Sequence, residues 1–177
     1  MLIKIKDILS LRVQSTAFQV VFLGVLAAGF LSTFQLIAAE NGVSPVHFYS
    51  LSSDSLMQTL PIAGLREHPL DSLYFLHVQP PLFDLIRTLA ATLVVDSNIT
   101  DEAILIHAVD IILQNLYLVL YAVLSAVIFL WIKRATNSSW FAGVVAFGWM
   151  IYPTPIFMST LLDGTLLSTL LITWMIL

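Results

Sequence analysis

No charged residue occurs between Thr16 and Ala39, and at roughly 1.5 Å per residue that stretch is enough helix to cross a hydrocarbon core of about 30 Å. A second apolar run extends from about Ile111 to Ile132 and stops at Lys133-Arg134. A third covers about 140–153 and closes at Tyr152-Pro153-Thr154-Pro155, where two prolines remove backbone donors. The fourth, about 157–177, is apolar to its last residue. Between the first two runs lies a long polar stretch that Pro45, Pro61 and Pro69 break into short pieces. The pattern predicts an all-α polytopic membrane protein with about four transmembrane helices, at 16–39, 111–132, 140–153 and 157–177. These form a single transmembrane domain segment, 1–177, with interfacial helices in the loop 40–110. The clearest of these follows Pro80-Pro81: Leu82, Leu85, Ile86, Leu89 and Leu93 recur at helical spacing, while Asp84, Arg87, Thr88 and Ala91 gather opposite. Such an amphipathic helix is expected to lie in the membrane interface with its polar face to water.

Charge placement orients the chain. Lys4, Lys6 and Arg12 precede the first span against Asp7, and basic residues concentrate on the cytoplasmic side, so the N-terminus is cytoplasmic and loop 40–110 lies on the outer, periplasmic or lumenal, face. Lys133-Arg134 then returns the second span to the cytoplasm. Were residues 82–95 to cross as well, the acidic stretch Asp96 to Glu102 would be cytoplasmic and Lys133-Arg134 outside, reversing the bias. The helix is therefore read as lying flat, an amphipathic juxtamembrane helix on the outer face. Ala38-Ala39 mimics a signal-peptide cleavage site, but signal cores are only about 7–15 residues long, so 16–39 is read as an uncleaved anchor. A final span with no basic or aromatic anchor beyond it is what a chain continuing past residue 177 would show.

Composition narrows the class. Hydrophobic residues make up 59% and charged residues 10%, against about 45–50% and about 25% in soluble domains, and the mean hydropathy of +0.95 also belongs in a bilayer. No basic tract suits a nucleic acid. The absence of cysteine excludes disulfides, thiolate metal sites and cysteine nucleophiles without fixing the compartment. No spacing among the histidines makes a metal site. Asn98-Ile99-Thr100 and Asn137-Ser138-Ser139 match the N-glycosylation acceptor pattern, which is short enough to arise by chance.

Hydrogen-bonding groups concentrate in His77-Val78-Gln79-Pro80-Pro81, where the prolines stiffen the chain and hold Gln79 extended just before a helix. His77, with an ordinary pKa of about 6.5, can hydrogen-bond or protonate a phosphate leaving group; it serves equally as a structural histidine. Asp54, in Ser53-Asp54-Ser55, sits near the start of a short helical pattern, where a carboxylate is favoured by the helix dipole. It is either a cap, or a base that takes a proton from an acceptor hydroxyl or helps hold a divalent cation. Arg66 and Arg87 are the outer-side arginines, with forked donors that suit a phosphate. Their alternatives are headgroup contact and, for Arg87, an i,i+3 pair with Asp84. Asp163, near the outer end of the fourth span, is a costly carboxylate and by default a functional one, unless it caps that helix. Asp110, Gln114 and Asn115 cluster at the outer end of the second span and face neighbouring helices or a cavity.

Taken in order, the N-terminal span, Ser53-Asp54-Ser55, His77-Val78-Gln79-Pro80-Pro81-Leu82 and Leu161-Leu162-Asp163 resemble the GT-C glycosyltransferases. The likeness is to the N-terminal third of the protein O-mannosyltransferase and bacterial lipid-linked sugar transferase branch, in which an acidic residue in the first outer loop precedes a His-Pro-Pro-Leu element. It covers most of the chain. It implies the N-terminal part of a larger GT-C fold, with many transmembrane helices and juxtamembrane helices on the outer face, that transfers a sugar from a polyprenyl-phosphate donor to an acceptor. By the resemblance Asp54 takes the catalytic acidic position, His77, Pro80, Pro81 and Leu82 match the His-Pro-Pro-Leu element, and Asp163 matches an aspartate opening a later helix. The chain departs from those enzymes in three places. Ser55 follows Asp54 where mannosyltransferases usually show Asp-Glu, Val78-Gln79 is inserted after the histidine, and Asp110 stands about where a basic residue is common. The first two favour a bacterial relative of open specificity, in the bacterial inner membrane.

The expected function is a glycosyltransferase working at the outer face on a lipid-linked sugar donor, with a glycan, lipid or protein as acceptor. Asp54 is the expected general base, and His77, Gln79, Arg66, Arg87 and Asp163 the expected substrate-binding residues. Membrane lipids are expected partners, nucleic acid is not, and a divalent cation is the one cofactor to weigh. The competing readings are non-catalytic: a transporter subunit or a four-span scaffold. Transporters place ionisable or broken-helix sites near the bilayer midplane, whereas here polar residues crowd into an outer loop and helix ends, which favours an enzyme. A GT-C enzyme needs further helices to enclose its lipid donor, so this segment alone is expected to transfer little.

Overall fold

A computed structural model describes residues 2–41, 60–74, 82–94, 101–160 and 165–176, and every regular element among them is an α-helix. In chain order these are α1 (Leu2–Glu40), α2 (Ile62–Glu67), α3 (Pro69–Tyr74), α4 (Leu82–Leu93), α5 (Glu102–Thr136), α6 (Ser139–Ile151), α7 (Pro153–Thr160) and α8 (Thr165–Ile176). Two of them, Ser15–Glu40 within α1 and Glu102–Thr136, are long and apolar enough to cross a membrane.

The axis of the fold is α5, which packs against α1, α2, α4, α6, α7 and α8. Its buried residues Leu105, Val109, Leu113, Tyr117, Tyr121 and Leu124 recur every three or four positions, a stripe that neighbouring helices cover. Hydropathy puts the start of this run near Ile111, but the helix begins at Glu102. Asp101 is extended and its carboxylate accepts from Ala103 N at 3.0 Å, with Glu102 adding a charge that the helix dipole favours. Apolar composition marks where a helix enters an apolar slab, whereas capping marks where its hydrogen bonding begins.

At its other end α5 stops on Asn137, which takes the left-handed conformation (φ 54°) and donates its backbone N–H to Lys133 O at 2.9 Å. Ser138 then caps α6, its hydroxyl accepting from Phe141 N. Asn137-Ser138-Ser139 is thus a tight reversal whose residues are explained by helix capping. Along the helices, Ser125, Thr136, Thr169 and Thr173 return their hydroxyls to carbonyls of their own helix, an arrangement that strands no donor in an apolar surrounding.

The helices α1 and α5 run antiparallel. Lys133 Nζ donates to Thr16 Oγ1 and to Gln19 Oε1, both at 2.9 Å, and lies 5.6 Å from the centre of the Phe129 ring. Further along, Gly24 faces the Ala122 carbonyl. Among the side chains described on α1, those of residues 15–40, a narrow strip that includes Leu23, Ala27 and Leu31 is buried, while Phe18, Val21, Phe22, Val25, Leu36 and Ile37 point outward. So much outward apolar surface suits contact with lipid or with further helices rather than water.

The C-terminal part divides differently from the expected spans 140–153 and 157–177. After α6 the chain bends at Tyr152 and α7 starts at once, on Pro153. Proline is tolerated there because the first turn of a helix needs no backbone donors. At roughly 1.5 Å per residue α6 and α8 measure only about 20 Å and about 18 Å, short of a 30 Å core, whereas 139–160 taken together through the bend approaches about 33 Å.

Candidate functional site

Because α1 and α5 are antiparallel, the C-terminal end of one and the N-terminal end of the other share one end of the bundle, opposite Lys133. Between those two ends in sequence come α2, α3 and α4; α4 is only about 18 Å long at roughly 1.5 Å per residue, too short to cross a core of about 30 Å, and both α2 and α4 pack on α5. Here α2 begins after Pro61, with Leu65 N donating to Pro61 O, and ends where His68 N donates to Gly64 O. The Ser72 hydroxyl of α3 donates to that same Gly64 carbonyl at 3.1 Å, fixing the α2–α3 corner. Ile62 and Leu65 are fully buried, and α2 packs on α3, α4 and α5.

The helix α4 corrects the expectation of a polar face turned to water. Asp84, Arg87, Thr88 and Ala91 are buried, while Leu82, Leu85, Leu89 and Leu93 are exposed, Leu93 at 65%. The amphipathic pattern is as read from the sequence, but the polar side turns onto the protein and the leucine side faces outward. Where the surroundings are lipid, that is the favourable arrangement, because polar groups find partners only inside the protein.

Inside the module the Arg87 side chain is fully buried. Its Nη1 donates to Asp84 Oδ1 at 2.6 Å and to the Leu60 carbonyl at 2.7 Å, and its Cζ lies 5.9 Å from the centre of the Phe83 ring. Thr88 Oγ1 donates to the Asp84 carbonyl at 2.7 Å. The i,i+3 pair that the sequence left open for Arg87 is therefore present, together with a longer contact that it did not suggest. Arg66 is half-buried in the last turn of α2, where a cation suits the helix C-terminus. Asp54, His77, Gln79 and Asp163, with Pro80 and Pro81, lie outside the described residues.

Asp110, a minor candidate by sequence, is fully buried on α5. A signal for this exists: Asp110, Leu113, Tyr117, Tyr121 and Leu124 follow one another at steps of three and four, placing the carboxylate within the buried stripe. Gln114 beside it is half-buried, while Asn115 is exposed and donates to its own helix at Ile111 O. Among the described residues no group of three or more histidine, aspartate or glutamate side chains is placed to hold a metal ion. Compared with protein-family models, curated proteins and solved structures, the chain finds no match.

Proposed function

We propose that the chain is the N-terminal part of a GT-C-type membrane glycosyltransferase, which moves a sugar from a polyprenyl-phosphate donor to an acceptor hydroxyl at the outer face of a bacterial inner membrane. The observation that carries the reading is the polar-cored module of short helices, α2 to α4, packed on α5, the central helix of the apolar bundle. A lipid-linked donor is best met there, since its phosphate and sugar sit at headgroup depth while its tail stays in the bilayer. Together with the order Asp54, His77, Pro80-Pro81-Leu82 and Asp163, this supports a transferase over a scaffold. The four spans in this reading are α1, α5, the bent pair α6–α7, and the run containing α8.

In the reaction the acceptor oxygen bonds to the anomeric carbon as the bond from that carbon to the phosphate oxygen breaks. Asp54 accepts the hydroxyl proton, and polyprenyl phosphate leaves with the bonding electrons. His77, Gln79 and Arg66 stabilise the departing phosphate, and Asp163 faces the substrate. Arg87, engaged inside the module, is given a different role below. The test uses the chain with whatever follows residue 177 in its reading frame, reconstituted with a polyprenyl-phosphate sugar and an acceptor. Asp54→Asn is expected to abolish transfer with membrane insertion unchanged, and normal transfer by that variant sinks the assignment.

Two features favour a transport role as the second reading: the break between α6 and α7 at Tyr152 and the buried Asp110 on α5, both of kinds found at ion and substrate pathways. Under that reading Asp110→Asn, not Asp54→Asn, is the variant that removes activity, measured as proton or solute flux into liposomes.

A further inference from the structure

Arg87 makes two bonds of different reach from one nitrogen. The first, to Asp84, is local, a single helical turn away; the second, to the Leu60 carbonyl, crosses 27 positions of sequence. Leu60 lies two residues before α2, whose own hydrogen bonding starts at the Pro61 carbonyl between them. A helix of six residues is too short to hold itself in water or lipid, so its position is set by what grips it. Asp84 neutralises the guanidinium charge and aims it, the Asp84 backbone is held in turn by Thr88, and the second Nη1 donor is left for a distant backbone oxygen.

We propose that Arg87 is a positioning residue: it latches the start of α2 to α4, and so fixes the spacing between Leu60 and the helix that begins at Leu82. The functional consequence rests on the glycosyltransferase reading, because in sequence Asp54 comes shortly before Leu60, and His77 and Gln79 shortly before Leu82; the latch itself does not depend on it. Lysine is a poor replacement, since its ammonium is a point charge on a stem that ends short of the guanidinium nitrogens.

The absence of cysteine makes the test clean. Spin labels at Glu67→Cys on α2 and Thr92→Cys on α4, both exposed sites, report the spacing of those helices. A second pair, Val25→Cys and Val119→Cys, reports α1 against α5 as a control. Arg87→Ala can unfold the module by stranding the Asp84 carboxylate, so Asp84→Leu/Arg87→Met, which removes both charges together, is measured beside it. In monodisperse protein in lipid nanodiscs, the α2–α4 distance distribution of the double variant is expected to broaden about two-fold or more as α2 opens locally, with the α1–α5 distribution unchanged. A merely stabilising role lowers the melting temperature without this broadening, so an unbroadened α2–α4 distribution overturns the latch. In parallel, kcat for sugar transfer is expected to fall about ten-fold through misplacement, with KM for the donor held within about two-fold. A raised KM with an intact distance makes Arg87 a phosphate contact and overturns the proposal. Broadened distances, in a protein that transfers no sugar when unsubstituted and assayed with whatever follows residue 177 in its reading frame, uphold the latch and sink the glycosyltransferase reading.

Discussion

A guanidinium buried in the core of the α2–α4 module survives only because its charge is met, and the Asp84–Arg87 pair shows how unequal its two removals are. Asp84→Ala leaves the cation without its carboxylate and is expected to cost about 3–5 kcal/mol, whereas Asp84→Leu/Arg87→Met takes both charges out and is expected to cost only the lost bond to the Leu60 carbonyl, about 1–2 kcal/mol. Thermal unfolding in detergent micelles separates the two outcomes. A comparable polar contact lies deeper, where the Tyr121 hydroxyl donates to the Met150 carbonyl at 2.5 Å. Met150 is in the last turn of α6, whose final carbonyls have no partner within their own helix, so Tyr121→Phe is expected to destabilise the protein by about 1–2 kcal/mol in the same assay. At this scale the sequence is half legible. The i,i+3 spacing of Asp84 and Arg87 announces their pair, but nothing local announces Leu60, because a backbone carbonyl 27 residues away carries no side-chain signature. Nor can periodicity tell which side of α4 faces inward: the pattern is the same whether the outer medium is water or lipid, and only the packing decides.

Between elements, close approach matters most where α1 meets α5. Ala27 is fully buried there, and a methyl added to Gly24 would lie 3.9 Å from the Ala122 oxygen, an ordinary contact distance. Gly24→Ala is therefore expected to be tolerated, while Ala27→Leu overpacks the seam and is expected to cost about 1–3 kcal/mol, read from the unfolding midpoint of purified protein. The central parts of α1 and α5 follow directly from uninterrupted apolar runs, which is why hydropathy finds them. Their ends do not: α5 begins nine residues before the apolar run because Asp101 and Glu102 supply a cap, and capping is independent of hydropathy. The two prolines near Tyr152 are legible as a break. That the next helix restarts on Pro153 is less so, since a proline that ends one helix is chemically just as fit to open another.

For the whole molecule, the prediction concerns sidedness. Glu102 and Thr136 stand exposed at opposite ends of α5, and a chain without cysteine gives no background labelling. In intact cells a membrane-impermeant maleimide is expected to label Glu102→Cys directly and Thr136→Cys only after permeabilisation, as basic residues on the inner side require. The reverse pattern would move α2 to α4 to the cytoplasmic face and remove the basis for chemistry on an outward-facing lipid donor. The all-helical class was legible from the apolar runs. The proposed catalytic assignment rests only on short motifs around Asp54, His77 and Asp163, because a reaction centre is defined by where side chains converge and spacing along a chain does not report convergence.

The length of α5 has a further consequence. Its 35 residues make about 52 Å of helix at roughly 1.5 Å per residue, and a hydrocarbon core of about 30 Å leaves roughly 20 Å to be absorbed by tilt or by projection beyond the lipid. The short helices α2 and α4 are packed on α5 rather than merely tethered to it, so they move with it. Bilayers of longer or shorter acyl chains change that tilt, and with it the depth at which the polar module sits. Acyl-chain length thus becomes a control on the protein as real as any residue, because in a bilayer it sets the height at which these short helices are held.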